Sequence, residues 1–277
     1  LYAQWAQSGT TIVVTAKSSS ELRNSLLPLA DGTTLALSGS WTDTYLRGLV
    51  TVLKESNAQG IILDMTGASV SMTYDNGIFA GCTALASVTL SDSMTSISFE
   101  MFSGCTGLTS VTIPSSVTAI NGYAFSDCTG LTNITIPDSV TSISPSAFTG
   151  CTDCVVTLGS TIISKNSSFF SSLSGVVSNC KGVVIKDDVM SIGDYAFYNC
   201  TALTSIMIPD SVTSIGSYSF SGCTGLTDVT IPDSVTSVGY GAFSDCTGLT
   251  TVTIGKGVTG VGSSTFSECP ALESLTV

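Results

Sequence analysis

Leu108-Thr-Ser-Val111-Thr-Ile113-Pro114-Ser-Ser116-Val117-Thr-Ala-Ile120-Asn-Gly-Tyr-Ala124-Phe125-Ser-Asp-Cys128 is one turn of a repeating coil. Cysteines fall at Cys82, Cys105, Cys128 and Cys151, then at Cys200, Cys223, Cys246 and Cys269, always 23 residues apart within each group. A phenylalanine stands three residues before each: Phe79, Phe102, Phe125, Phe148, Phe197, Phe220, Phe243 and Phe266. Self-similarity at a fixed period of this length is the signature of a stacked array. Within the quoted turn, Leu108, Val111 and Ile113 predict a short strand. Its side chains alternate, so Val111 and Ile113 face inward while Ser110 and Thr112 face out. Pro114, with counterparts Pro137, Pro209 and Pro232, falls just past the strand, where its missing N–H interrupts no ladder. Val117, Ile120, Ala124, Phe125 and Cys128 supply the remaining apolar slots. No coil can bury its own inward face, so neighbours must do it.

The L-x-x-L-x-L opening predicts an α/β fold of the leucine-rich-repeat kind. That is a horseshoe solenoid with a parallel concave sheet, a mostly β and irregular convex side, and an α/β N-terminal cap. Nine strand landmarks are expected, at Leu90, Ile113, Ile136, Leu158, Ile185, Ile208, Ile231, Ile254 and Val277. The Leu158–Ile185 interval is 27 residues, which implies four inserted residues around Lys165 to Gly175. Three segments result: residues 1–9 as the remnant of a preceding module or linker, 10–76 as the cap, and 77–277 as about nine repeats, irregular at 152–180. Inside the cap, Thr11–Thr15, Thr34–Ser38 and Gly60–Met65 read as strands. Ser18 and Glu21 form a capping-box pattern for a helix stopping near Asp31-Gly32, and Asp43 to Glu55 reads as a second helix. The chain stops on Leu272, Leu275 and Val277 with no cap residues after them. Self-association through that coil is one expectation.

Composition limits function. Only 10% of residues are charged, hydrophobic residues make up 43%, and the formal charge of −12 repels phosphate backbones, so nucleic acid is not an expected partner. Basic proteins or calcium remain as ligands for so acidic a surface. No apolar run reaches 18 residues, the length a membrane-spanning helix requires. Histidine is absent, which removes the usual general base and the commonest zinc ligand. No carboxylate pair or isolated lysine is grouped to replace it. Neither an enzyme nor a cofactor is expected.

The unit Cys-x-x-Leu-x-x-Val-x-Ile-Pro-x-x-Val-x-x-Ile-Gly-x-x-Ala-Phe, plain from Cys200 to Phe220, resembles the BspA-like leucine-rich repeats of bacterial surface proteins. The opening Leu1-Tyr-Ala-Gln-Trp5 is similar to the last strand of small β-grasp repeats in such proteins. The resemblance implies an exported, cell-surface chain that binds host matrix or bacterial surface proteins, as an adhesin. A passive spacer within a multi-module protein is the alternative.

The resemblance does not locate the binding residues. The outward positions of the concave sheet are the candidates: Thr89, Ser110, Thr112, Asn133, Thr135, Thr157, Ser205, Met207, Asp228 and Thr230. Threonine also suits an exposed pleated surface for purely structural reasons. These rows lack the Tyr, Trp and Arg anchors that dominate protein affinity. A third row, Asp92, Asp138, Asp187, Asp210 and Asp233, follows the strands and fits either turn-forming carboxylates or a cation site. Eight of the ten cysteines occupy one inward slot with Cβ vectors aligned, which favours buried free thiols over bridges. Cys154 and Cys180 share the leading Leu slot of successive coils, and for them a disulfide stays open.

Overall fold

The computed structural model describes residues 10–72, 76–163, 176, 180 and 182–277. It contains two compact units: Leu1–Ile134 with Ala147–Asp153, and Thr135–Ser146 with Cys154–Val277. The insertion expected around Lys165 to Gly175 falls outside the described residues, as do residues 1–9.

In the first unit the strands Thr11–Thr15, Thr34–Thr42, Ile61–Asp64, Leu85–Thr89 and Ser110–Thr112 lie side by side in chain order, all parallel. The pairs Val88↔Val111 and Thr89↔Thr112 set the register. Val88 and Val111 are buried, as alternation requires. The helix Asp43–Glu55 covers the expected residues and buries Leu46, Leu49, Val50, Val52 and Leu53. The helix Ser19–Leu26 starts on the expected box: the Glu21 carboxylate accepts the Ser18 backbone N–H at 3.1 Å and its hydroxyl at 2.6 Å.

Two cap expectations need correction. The first helix ends at Leu26 rather than near Asp31-Gly32, because Pro28 forces the preceding Leu27 into an extended conformation (φ −90°, ψ 139°). The strand expected to end at Ser38 runs to Thr42. The chain turns at Gly39 (φ 79°), and residues 39–42 then pair with Ala68–Ser71, burying Trp41.

The second unit repeats the plan. Val155–Leu158 pairs with Gly182–Ile185, and Asp228–Ile231, Thr251–Ile254 and Ser274–Thr276 form a second parallel group. The side expected to be irregular carries a ladder of its own. Ser191–Ile192, Ser214–Ile215, Ser237–Val238 and Gly260–Val261 pair in parallel, and Ser96–Ile97 with Ala119–Ile120 does the same in the first unit. The recurring Ser-Ile pair places one β-branched residue inward per coil, where Ile97, Ile120, Ile192, Ile215 and Val238 are buried.

One landmark is corrected. Ser205–Ile208 forms no strand, although Ile206 and Ile208 are buried while Ser205 and Met207 are exposed. Inward packing therefore closes this coil without a full ladder. Its neighbour's Thr227 N–H reaches the Thr204 carbonyl at 3.3 Å.

The core of each unit is a column of rings beside a column of thiols. Phe79, Phe102, Phe125 and Phe148 stack with centroids 5.2, 5.5 and 5.3 Å apart. Phe197, Phe220, Phe243 and Phe266 stack at 5.0, 5.0 and 5.6 Å. Within the columns, Cys105, Cys128, Cys151, Cys223, Cys246 and Cys269 each donate to the carbonyl of the phenylalanine one coil back. Cys105 reaches Phe79 and Cys128 reaches Phe102 at 3.0 Å, while Cys223 reaches Phe197 and Cys246 reaches Phe220 at 3.1 Å. Cysteine suits this slot because it packs as a small hydrophobe yet offers one weak donor to a buried carbonyl.

The glycine of the Cys-Thr-Gly-Leu corner has a different cause. A Cβ on Gly225 would lie 2.6 Å from the Thr201 carbonyl oxygen, and one on Gly248 would lie 2.5 Å from that of Thr224. Coils touch there backbone to backbone.

None of the ten cysteines is in a disulfide; nine are buried and Cys269 is half-buried. Cys154 and Cys180 are both buried and neither is in a disulfide, so the bridge left open for them is absent. Burial pushes the Cys82 thiol up to about 11 and that of Cys105 up to about 12 from an ordinary value of 9.0. Two results are expected. Ellman's reagent at pH 8 titrates about one thiol per native chain and all ten after unfolding. Stability also falls as pH rises from about 9 toward 12: the unfolded chain releases its thiol protons there while the folded one retains them. Several thiols titrating quickly in the folded protein would contradict the buried column.

Candidate binding surfaces

The candidate residues fall into solvent-facing rows that do not converge on a cleft. In the first unit Thr112 and Asn133 are exposed, while Thr89 and Ser110 are half-buried. The Ser110 hydroxyl donates to that of Ser87 at 2.9 Å, which gives it a structural partner. In the second unit Thr135, Ser205, Met207, Asp228 and Thr230 are exposed and Thr157 is half-buried. Thr230, Thr253 and Thr276 stand in register on three successive strands, beside Asp228, Thr251 and Ser274. Met207 is 82% exposed and lines a shallow depression of about 640 Å³ with Val184, Asp187 and Asp210.

Other polar side chains serve the stacking itself. The Thr227 hydroxyl donates to the Thr204 carbonyl at 3.4 Å, and that of Thr250 to the Thr227 carbonyl at 2.9 Å. In the acidic row, the Asp233 carboxylate accepts the backbone N–H of Lys256 in the next coil at 2.8 Å. Asp138 lies 3.8 Å from the Lys186 ammonium. These carboxylates link coils as well as facing water. Among the described residues, no three His, Cys, Asp or Glu side chains converge as a metal site would require.

A feature missed in the sequence lies beyond the short ladder. Tyr195 and Tyr218 precede the inward phenylalanine by two residues, and Tyr240 precedes it by three. Tyr195 and Tyr218 stack at 5.2 Å; Tyr240 meets Tyr218 edge-on at 5.2 Å, and Tyr198 meets Tyr195 edge-on at 5.6 Å. Among the described residues of the first unit, Phe99 pairs with Tyr123 at 5.6 Å. The signal was legible. Where Ala196 and Phe197 both turn inward, the residues on either side must turn out, and both are tyrosines.

Comparison with known proteins bears on the repeat. Residues 72–178 and 174–277 match the BspA type leucine rich repeat region, in six copies. The chain belongs to that family. No curated protein matches the BspA-type chain. Among solved structures it is similar to a leucine-rich repeat protein from Bacteroides ovatus. Identity there is 26% and the TM-score 0.48, over 88% of this chain and 61% of that one. The BspA-type chain thus spans about three fifths of that relative's length. A leucine rich cell surface protein from Faecalibacterium prausnitzii is 23% identical with a TM-score of 0.38, over 100% of this chain and 86% of that one. An internalin from Listeria monocytogenes is 14% identical with a TM-score of 0.41, over 96% and 86%. No described helix of the BspA-type chain is long and apolar enough to cross a membrane.

Proposed function

We propose that this chain is an extracellular protein-binding module of a bacterial cell-surface protein, used for adhesion to host or bacterial proteins. Membership of the BspA-type repeat family is the observation that carries the reading. The physical support is that stacked coils present many equivalent solvent-facing positions at fixed spacing, a surface suited to an extended partner. Catalysis has no comparable support, since the chain has no histidine and the described residues gather no cluster of acidic and thiol groups.

The test is surface plasmon resonance of the full chain against immobilised matrix proteins and bacterial surface proteins. Saturable binding to at least one, abolished when the chain is unfolded, is the expected result. Silence across the panel with an intact thermal transition would favour the passive spacer instead.

A further inference from the structure

We propose that Tyr195, Tyr218 and Tyr240, with Tyr198 beside them, form a docking face for an arginine-bearing segment of a partner protein. This rests on the protein-binding reading and adds where the partner sits and what it carries.

These rings lie outside the inward column and touch one another from coil to coil, with Tyr218 half-buried between its neighbours. The inward phenylalanines fill the core, whereas Tyr195, Tyr198 and Tyr240 are 36, 41 and 47% exposed. Contiguous exposed aromatic surface marks a site of interaction, and tyrosine is enriched among the residues that dominate protein affinity. The backbone permits the row. Tyr195 and Tyr218 occupy left-handed conformations, with φ of 60° and 52°, at a slot where other coils carry Gly77, Glu100, Tyr123, Gly241 and Ser264. Gly241 also makes the row possible. A Cβ there would lie 2.9 Å from Cε1 of Tyr218, so its absence lets that ring lie across the next coil.

Charge identifies the occupant. From Ser191 to Cys246 the chain contains no Lys and no Arg but five aspartates: Asp194, Asp210, Asp228, Asp233 and Asp245. Asp194 adjoins the row and is exposed, although one oxygen accepts the Ser217 N–H at 2.7 Å. Asp210, Asp228 and Asp233 lie on the strand side, so the row's own carboxylate is Asp194, and no Lys or Arg of this stretch stands beside it. Tyr240 and Tyr198 meet their neighbours edge-on, so each keeps at least one ring face that the row does not cover. A planar guanidinium matches both components, since it stacks on an aromatic face and pairs with a carboxylate. A lysine ammonium is more strongly hydrated and fits less well.

The probe is a fluorescein-labelled twelve-residue peptide of alternating Arg and Ser, measured by anisotropy against the full chain at 150 mM salt. Lys–Ser and all-Ser peptides serve as comparisons. The wild-type chain is expected to bind Arg–Ser more tightly than Lys–Ser, with no measurable binding of all-Ser. The triple variant Tyr195→Ser, Tyr218→Ser, Tyr240→Ser is expected to weaken Arg–Ser binding at least tenfold, while Val13→Ser, at an exposed position of the first unit, leaves it unchanged. If the triple variant melts early, Tyr240→Lys alone is used and is expected to weaken binding by several fold. Equal affinity of wild type and tyrosine variants would overturn the assignment, as would equal affinity for Arg–Ser and all-Ser. A short β-linked glucan that binds instead, and is lost with the tyrosines, would overturn the choice of partner. In the matrix panel, signal lost in Thr230→Ala with Thr253→Ala and kept in the tyrosine variant would remove this face but leave the binding module standing.

Discussion

Replacing Phe220 by alanine is expected to destabilise the second unit by about 3–5 kcal/mol, the usual cost of deleting a buried aromatic ring. The ring is fully buried and lies between Phe197 and Phe243, each at 5.0 Å and nearly parallel to it (11° and 3°). Deletion removes two stacking contacts and leaves a cavity that backbone-linked coils cannot collapse into. Phe266 is half-buried and stacks only on Phe243 among the described rings, so Phe266→Ala is expected to cost far less. Urea unfolding followed by far-ultraviolet circular dichroism measures both. A loss below about 1 kcal/mol for Phe220→Ala would mean that the column does not hold the coils together.

The repeat was legible because one environment recurs at a fixed interval. Phe125, Cys128, Val117 and Ile120 are buried for the same reason as their counterparts, and eightfold recurrence distinguishes that reason from chance. Both cap helices were legible from local chemistry, namely the Ser18–Glu21 box and the apolar spacing of Leu46, Leu49, Val50 and Leu53. The short second ladder was harder to see, because two residues are too few to show alternation. Ser205–Ile208 has the apolar pattern of a strand without the pairing, and pairing depends on neighbours that a pattern within one coil does not encode. The candidate rows were found by alternation alone, which identifies what faces water and says nothing of what binds. The tyrosine row was missed because only Tyr195 and Tyr218 in it keep the 23-residue period, Tyr240 stands one residue early, and other coils carry Gly77, Glu100 or Ser264 in that slot.

In a linear array each coil touches only its neighbours, so a whole coil is removable and a fraction of one is not. Deleting residues 224–246 joins Cys223 to Thr247 and preserves the Cys-Thr-Gly-Leu corner, the ring column and the thiol column. Deleting 224–240 joins Cys223 to Gly241, which sets Ala242 where Gly225 packs against the Thr201 carbonyl and Phe243 in the buried Leu226 slot, and throws every later slot out of register. Thermal unfolding of the two deletions is the most direct test of whether inward slots at a 23-residue period build this protein. The whole-coil deletion should keep a cooperative transition within several degrees of the parent, while the shorter one should lose it for the second unit. Equal tolerance of both deletions, or collapse of the whole-coil deletion alone, would contradict the stacked-coil account.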